Sequence, residues 1–230
     1  MTQPEPMSFC PKDQIDGYRK QVNGNPYECS SRIQFDFLHH HIRSCTEISQ
    51  AVKDKQTTER TALQLCAFLA HWGMFRGKGK LGDRNLYFFQ EICLDLLGNK
   101  GVLSRIEGIP FENLHRKLKD SVLQEAIDGV KCAFELRGVS PTDTLVSKTM
   151  LGLLGNIPGY DRYFKKGLSK LKENDEFKGT MGFGVKGLLN LSEWCTEYDW
   201  PSIKSKADKR RLLPRGRLVD MAIHQYGRPN

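Results

Sequence analysis

Residues 136–164, LRGVSPTDTLVSKTMLGLLGNIPGYDRYF, constrain the fold more than any other stretch. Gly138 supplies a tight turn, residues 144–154 read as a very apolar helix, Pro158 falls in a second turn, and Asp161 opens a polar segment. A helix apolar on nearly every side has to be enclosed by other elements. Turn, helix, turn and acid in this order can bring backbone groups and one carboxylate to a common surface.

The remaining pattern is helical wherever it is periodic. Phe35, Leu38 and Ile42 share a face, widened by Phe37, His41, Cys45 and Ile48. The run TALQLCAFLAHWGMF predicts a central, buried helix, with Thr57 or Thr58 as its cap. Phe88, Phe89, Ile92, Cys93, Leu96 and Leu97 follow the i, i+3/i+4 rule up to a closing Gly98. From Pro110 a long helix is expected, its stripe Leu114, Leu118, Val122, Ala126, Val130 and Ala133 running on to Gly138. No stretch predicts a convincing strand; VLSRIEG alternates too briefly. The expectation is an all-α protein of eight to ten helices. Residues 1–28, rich in Pro, Gly, Asn and Gln, read as a flexible N-terminal arm, and 29–230 as a single helical domain. Residues 173–187, ENDEFKGTMGFGVKG, read as a polar loop before the final segments.

Composition narrows the partners. The chain has 230 residues, 39% of them hydrophobic, with no apolar run of membrane-spanning length. The opening MTQPEPMSFC lacks the basic start and apolar stretch of a secretory signal, which predicts a cytoplasmic or nuclear protein. Seven scattered cysteines, an odd number with no pair closely spaced, predict reduced thiols, with neither a disulfide framework nor a metal cluster. The net charge is +8 and is uneven. Residues 161–230 carry 15 Lys/Arg against 9 Asp/Glu, a net of +6, whereas the first 160 carry 20 against 18, a net of +2. A basic C-terminal part suits a polyanion, and equally a surface of solvated lysines.

The segment around Gly138 is the candidate for chemistry. A helix, a glycine turn and a second helix starting near Ser140 or Thr142 leave free N–H groups that favour a phosphate oxygen without reading sequence. Lys148, the one charge between residues 144 and 154, either snorkels to the surface, the favoured outcome, or faces the groove of Asp161. Asp161 has two roles open to it: capping the basic helix DRYFKKGLSKL, or projecting as a carboxylate into a cleft.

Leu136, Gly138 and Val139, the apolar helix, and then Pro158, Tyr160 and Asp161 resemble the core of the helix-hairpin-helix DNA glycosylases. In that family an L-P-G-V-G hairpin, a helix and a proline-containing turn lead to an aspartate essential for base excision. The resemblance covers about thirty residues. Ser140 stands where the second hairpin glycine is usual. Thr142 falls near the place where bifunctional members carry a lysine, and Lys148 lies further along the helix, so the chain resembles the monofunctional kind. The resemblance implies a glycosylase-like helical domain that extrudes a base from double-stranded DNA into a pocket. Asp161 would stabilise the cationic sugar. Gly138, Val139, Ser140, Thr142, Arg162, Lys165 and Lys166 would hold the backbone, and Tyr160 would join the base pocket. No cofactor is implied, and no cysteine cluster marks an iron–sulfur site.

Trp72 and Phe75 can stack on a base and Arg76 can meet phosphate, although aromatics on such a helix are more often core. The RGKGKLG loop lacks Walker spacing. Consecutive His39, His40 and His41 point three ways on a helix and cannot share a metal. The C-terminal RLVDMAIHQYG predicts an amphipathic helix with Asp220 partly covered. Two other functions fit the same residues: a non-catalytic nucleic-acid-binding helical module, and a helical domain whose basic face meets an acidic protein.

Overall fold

Residues 8–20, 31–76 and 81–229 are described in the structure, a computed structural model. They form ten α-helices: α1 Pro11–Lys20, α2 Ser31–Arg43, α3 Lys55–His71, α4 Leu86–Leu97, α5 Leu114–Lys117, α6 Asp120–Glu135, α7 Asp143–Leu154, α8 Arg162–Glu173, α9 Val185–Trp194 and α10 Arg215–Tyr226. Among the described residues β-structure is limited to one isolated antiparallel bridge, Lys204 with Leu212. The protein is all-α, and no helix among the described residues is long and apolar enough to cross a membrane.

The enclosure demanded by the apolar segment is what the fold supplies. Every residue of α7 from Leu145 to Leu154 is buried, with α2, α3 and α6 packed against it. α3 in turn touches α2 and α4, α8 lies along α10, and α9 covers α5. A contiguous set of buried apolar side chains runs from Phe9 to Ile223.

The helix boundaries follow local chemistry. Asp54, rather than Thr57 or Thr58, caps α3: its Oδ1 accepts from the Thr57 N–H at 2.8 Å, and Thr57 Oγ1 accepts from the Asp54 N–H. This reciprocal pair satisfies two orphan donors at once. Asn85 caps α4 through a single bond, its Oδ1 accepting from the Phe88 N–H at 3.2 Å, and Gly98 ends it.

Three expectations are corrected. The arm expected over 1–28 contains α1, whose Ile15 and Tyr18 are buried against α10; two apolar side chains three apart suffice to dock ten residues but are too few to show a period. Residues 1–7 and 21–28 lie outside the described residues. The long helix expected from Pro110 is broken: Leu118 and Lys119 are extended, and α5 and α6 are separate. Ser192 Oγ donates to the Phe111 carbonyl at 2.6 Å and meets His115 Nδ1 at 3.0 Å, which pins the first piece to α9. Lastly, α10 is not amphipathic, because Gly216 to His224 are all buried: α1 covers one side and α8 the other. The loop residues Gly77 to Lys80 lie outside the described residues, and VLSRIEG contributes a 3-10 turn, Ser104–Ile106.

Candidate functional site

The turn before α7 takes the shape expected of it. Gly138 has φ +71°, the left-handed region where a Cβ is strained, and its carbonyl accepts from Arg84 Nη2 at 3.1 Å. Val139 is buried, whereas Gly138, Ser140 and Thr142 face solvent. Thr142 caps α7, its Oγ1 accepting from the Leu145 N–H at 3.2 Å. Arg137 beside the turn is already neutralised by Asp95 at 2.7 Å and Glu91 at 3.5 Å.

Two side chains of α7 draw the chain before α8 onto it. Thr144 Oγ1 donates to the Tyr160 carbonyl at 2.9 Å, and Ser147 Oγ accepts from the Tyr160 N–H at 2.8 Å. The start of α8 therefore stands beside the start of α7. Lys165 of α8 reaches Asp143 of α7 at 3.8 Å, and Arg162, Lys165 and Lys166 are exposed.

Asp161 caps α8, with Oδ1 accepting from the N–H groups of Tyr163 and Phe164, both at 2.9 Å. Its Oδ2 lies 2.9 Å from Lys148 Nζ. The snorkelling expected of Lys148 does not occur, since its side chain is 0% exposed. The ammonium sits 3.0 Å from Asp220 Oδ1 and 3.3 Å from the centre of the Trp72 ring. Asp220, expected to be partly covered, is likewise completely enclosed. Its Oδ1 also accepts from the Gly159 N–H at 3.1 Å and its Oδ2 from Arg217. Arg217 Nη2 donates to Tyr18 Oη at 3.3 Å, and the guanidinium packs over Phe35 and Trp72. His224 Nε2 closes the group 3.8 Å from Asp161.

Two cations and two carboxylates thus neutralise one another in the interior. Burial of each charge alone costs several kcal/mol, so the arrangement persists only because each is paired. Burial by itself would raise the Asp161 pKa, but the Lys148 charge, with His224 and the Phe164 N–H, outweighs it and holds the carboxyl below its ordinary range. Burial keeps His224 below the usual imidazole value despite Asp161 and Asp220. A carboxylate of depressed pKa is a poor proton acceptor near neutrality and a good fixed negative charge. Glycine at 159 is a steric requirement: a Cβ there would overlap the Lys148 side chain.

Of the residues expected to form the base pocket, only Trp72 joins Asp161, and it does so through Lys148. Phe75 is stacked on Phe89, with centroids 5.8 Å apart. Tyr160 is fully buried against Phe164 and Phe183, and burial raises its pKa. Arg76 is exposed. Sequence reasoning missed Arg217, Tyr18 and His224. The usable signal was an ionic pair three residues apart, Arg217 and Asp220, in an otherwise apolar helix. Among the described residues no group of His, Cys, Asp and Glu is placed to hold a metal. The chain matches no family model, no curated protein and no solved structure.

Proposed function

We propose that this is a DNA-binding base-excision protein of the monofunctional N-glycosylase type, with Asp161 as the charge that stabilises the cationic sugar. One observation supports the proposal: the double tie of Tyr160 to Thr144 and Ser147, which brings the segment carrying Asp161 against the first half of α7. A phosphate at residues 138–142 and a reacting sugar near Asp161 then belong to one bound strand. Arg162, Lys165 and Lys166, exposed on α8, supply further phosphate contacts. Lys148 acts as a positioning residue, fixing Oδ2 of Asp161 at 2.9 Å.

The test is an abasic-site assay on duplexes carrying damaged or mismatched bases. Asp161→Asn keeps an oxygen to cap α8 and removes the charge. It retains salt-sensitive DNA binding and loses base release by about a hundredfold or more, the scale of losing one preorganised electrostatic group. Unchanged excision by this variant ends the assignment.

A second function is favoured by a different observation. Both Asp161 oxygens are engaged, one by main-chain N–H groups and the other by Lys148. As a cap and counter-ion only, Asp161 leaves a nucleic-acid-binding module with no catalysis. That module shows affinity falling steeply with salt and no abasic product from any substrate.

A further inference from the structure

At the other end of α7, about 18 Å along its twelve residues from the glycine turn, lies a cavity of about 380 Å³. It is lined in part by His39, Arg43, Glu112, Asn156, Trp200 and Arg215. This falls in the range of about 300–1,000 Å³ that accommodates small organic ligands.

Its walls are chemically unbalanced. Arg43 is exposed at the end of α2, and Arg215 lies half-buried over the Trp200 ring, 5.5 Å from its centre. Among the described residues neither guanidinium is paired with a carboxylate. Arg215 opens α10 after Pro214, which offers no side-chain cap; the Arg217 and Leu218 N–H groups bond back to the Pro214 carbonyl, so among the described residues the first-turn donors left to a ligand are those of Arg215 and Gly216. Two cations and an uncapped helix start therefore face the same space. Acceptors stand opposite. Asn156 is 6% exposed, and its Nδ2 donates to the carbonyls of Ile106 at 2.9 Å and Ile109 at 3.0 Å. Those two bonds fix Oδ1 as the atom left without a partner. Glu112 Oε2 is unpartnered as well. Burial, with Arg43 and Arg211 nearby, pushes the His39 pKa down to about 3, so the imidazole is neutral and adds no charge.

These features discriminate between ligands. A purely apolar molecule would leave the guanidinium groups and both acceptors unused. A lone inorganic anion would fill a fraction of the space and ignore Trp200 and Asn156. A ligand with an anion at one end and a flat ring bearing N–H donors at the other uses all of them. We propose that this cavity is a second binding site, for a nucleoside monophosphate, with the phosphate between Arg43, Arg215 and the start of α10, and the base toward Trp200 and Asn156. The site is separate from Asp161 and does not depend on base excision.

The experiment is calorimetric titration of the full chain with AMP, GMP, CMP and UMP, alongside adenosine and inorganic phosphate. At least one nucleotide binds at 1:1, about tenfold or more tighter than adenosine or phosphate. Arg43→Ala, at an exposed helix end, keeps the melting temperature and weakens that nucleotide by about tenfold, and Arg215→Ala does the same. A 5′-phosphorylated trinucleotide that competes identifies a strand end as the natural form of the ligand; failure to compete identifies the free nucleotide, and both support the site. No binding by any of the four at about 1 mM, or nucleotide binding that survives both substitutions, overturns the proposal.

Discussion

Lys148 ties separate parts of this interior together, because two carboxylates from different elements meet at its ammonium. Lys148→Met leaves Asp161 and Asp220 with one charge too many between them. The expected loss is about 3–5 kcal/mol, the usual cost of orphaning a buried ion. The double variant Lys148→Met/Asp161→Asn removes one charge of each sign and leaves Arg217 with Asp220. It should recover a large part of the loss in urea denaturation. A single variant that costs less than about 1 kcal/mol would show that the pairing contributes little. The sequence marked Lys148 as the lone charge of an apolar helix, and it marked Asp161 as a possible cap. It did not show where the lysine points. A lysine stem can reach water from many helical positions, and the partner that keeps it inside, Asp220, lies 72 residues further on. Local spacing carries no information about such a pair.

At the scale of elements, α8 and α10 pack closely, and two glycines allow it. A Cβ on Gly167 would overlap the Ile223 carbonyl, and one on Gly227 the Tyr163 carbonyl. Gly167→Ala forces the helices apart and should cost about 1–3 kcal/mol, as overpacking does. Gly182→Ala, with nothing within 4 Å of the added methyl, should change stability by less than about 0.5 kcal/mol. Thermal melts of the two variants compare them directly; equal effects would refute the steric account. Helices with a full apolar stripe, α3, α4 and α7, were legible because burial on several sides leaves a long run of apolar residues. α1 was not, because ten residues contribute only a few anchors and the surface receiving them is made by α10. The division between α5 and α6 was equally hidden: the apolar spacing continues across it, and the bend is imposed by Ser192 of α9.

For the molecule as a whole, the interior charges set the response to acid. Burial lowers the pKa of His39 to about 3 and also depresses His41 and His224. These imidazoles take up protons more readily unfolded, near pH 6.5. Their contribution is complete above that pH and is lost as pH falls toward the folded values. Asp161, also depressed, contributes fully above about pH 4 and loses its contribution below. Asp36 acts in the opposite sense, since burial raises its pKa. The urea midpoint should therefore decline between pH 7 and pH 5 and more steeply below pH 4. A midpoint that stays level or rises from pH 7 to pH 5 contradicts the neutral-histidine interior. One contact has a temporal meaning. Tyr18 and Arg217 touch although they are 199 positions apart, so a growing polypeptide cannot shut its ionic centre until α10 has been synthesised. Until then the Lys148 ammonium has Asp161 at hand but lacks Asp220, which reserves final consolidation of the interior for the end of translation.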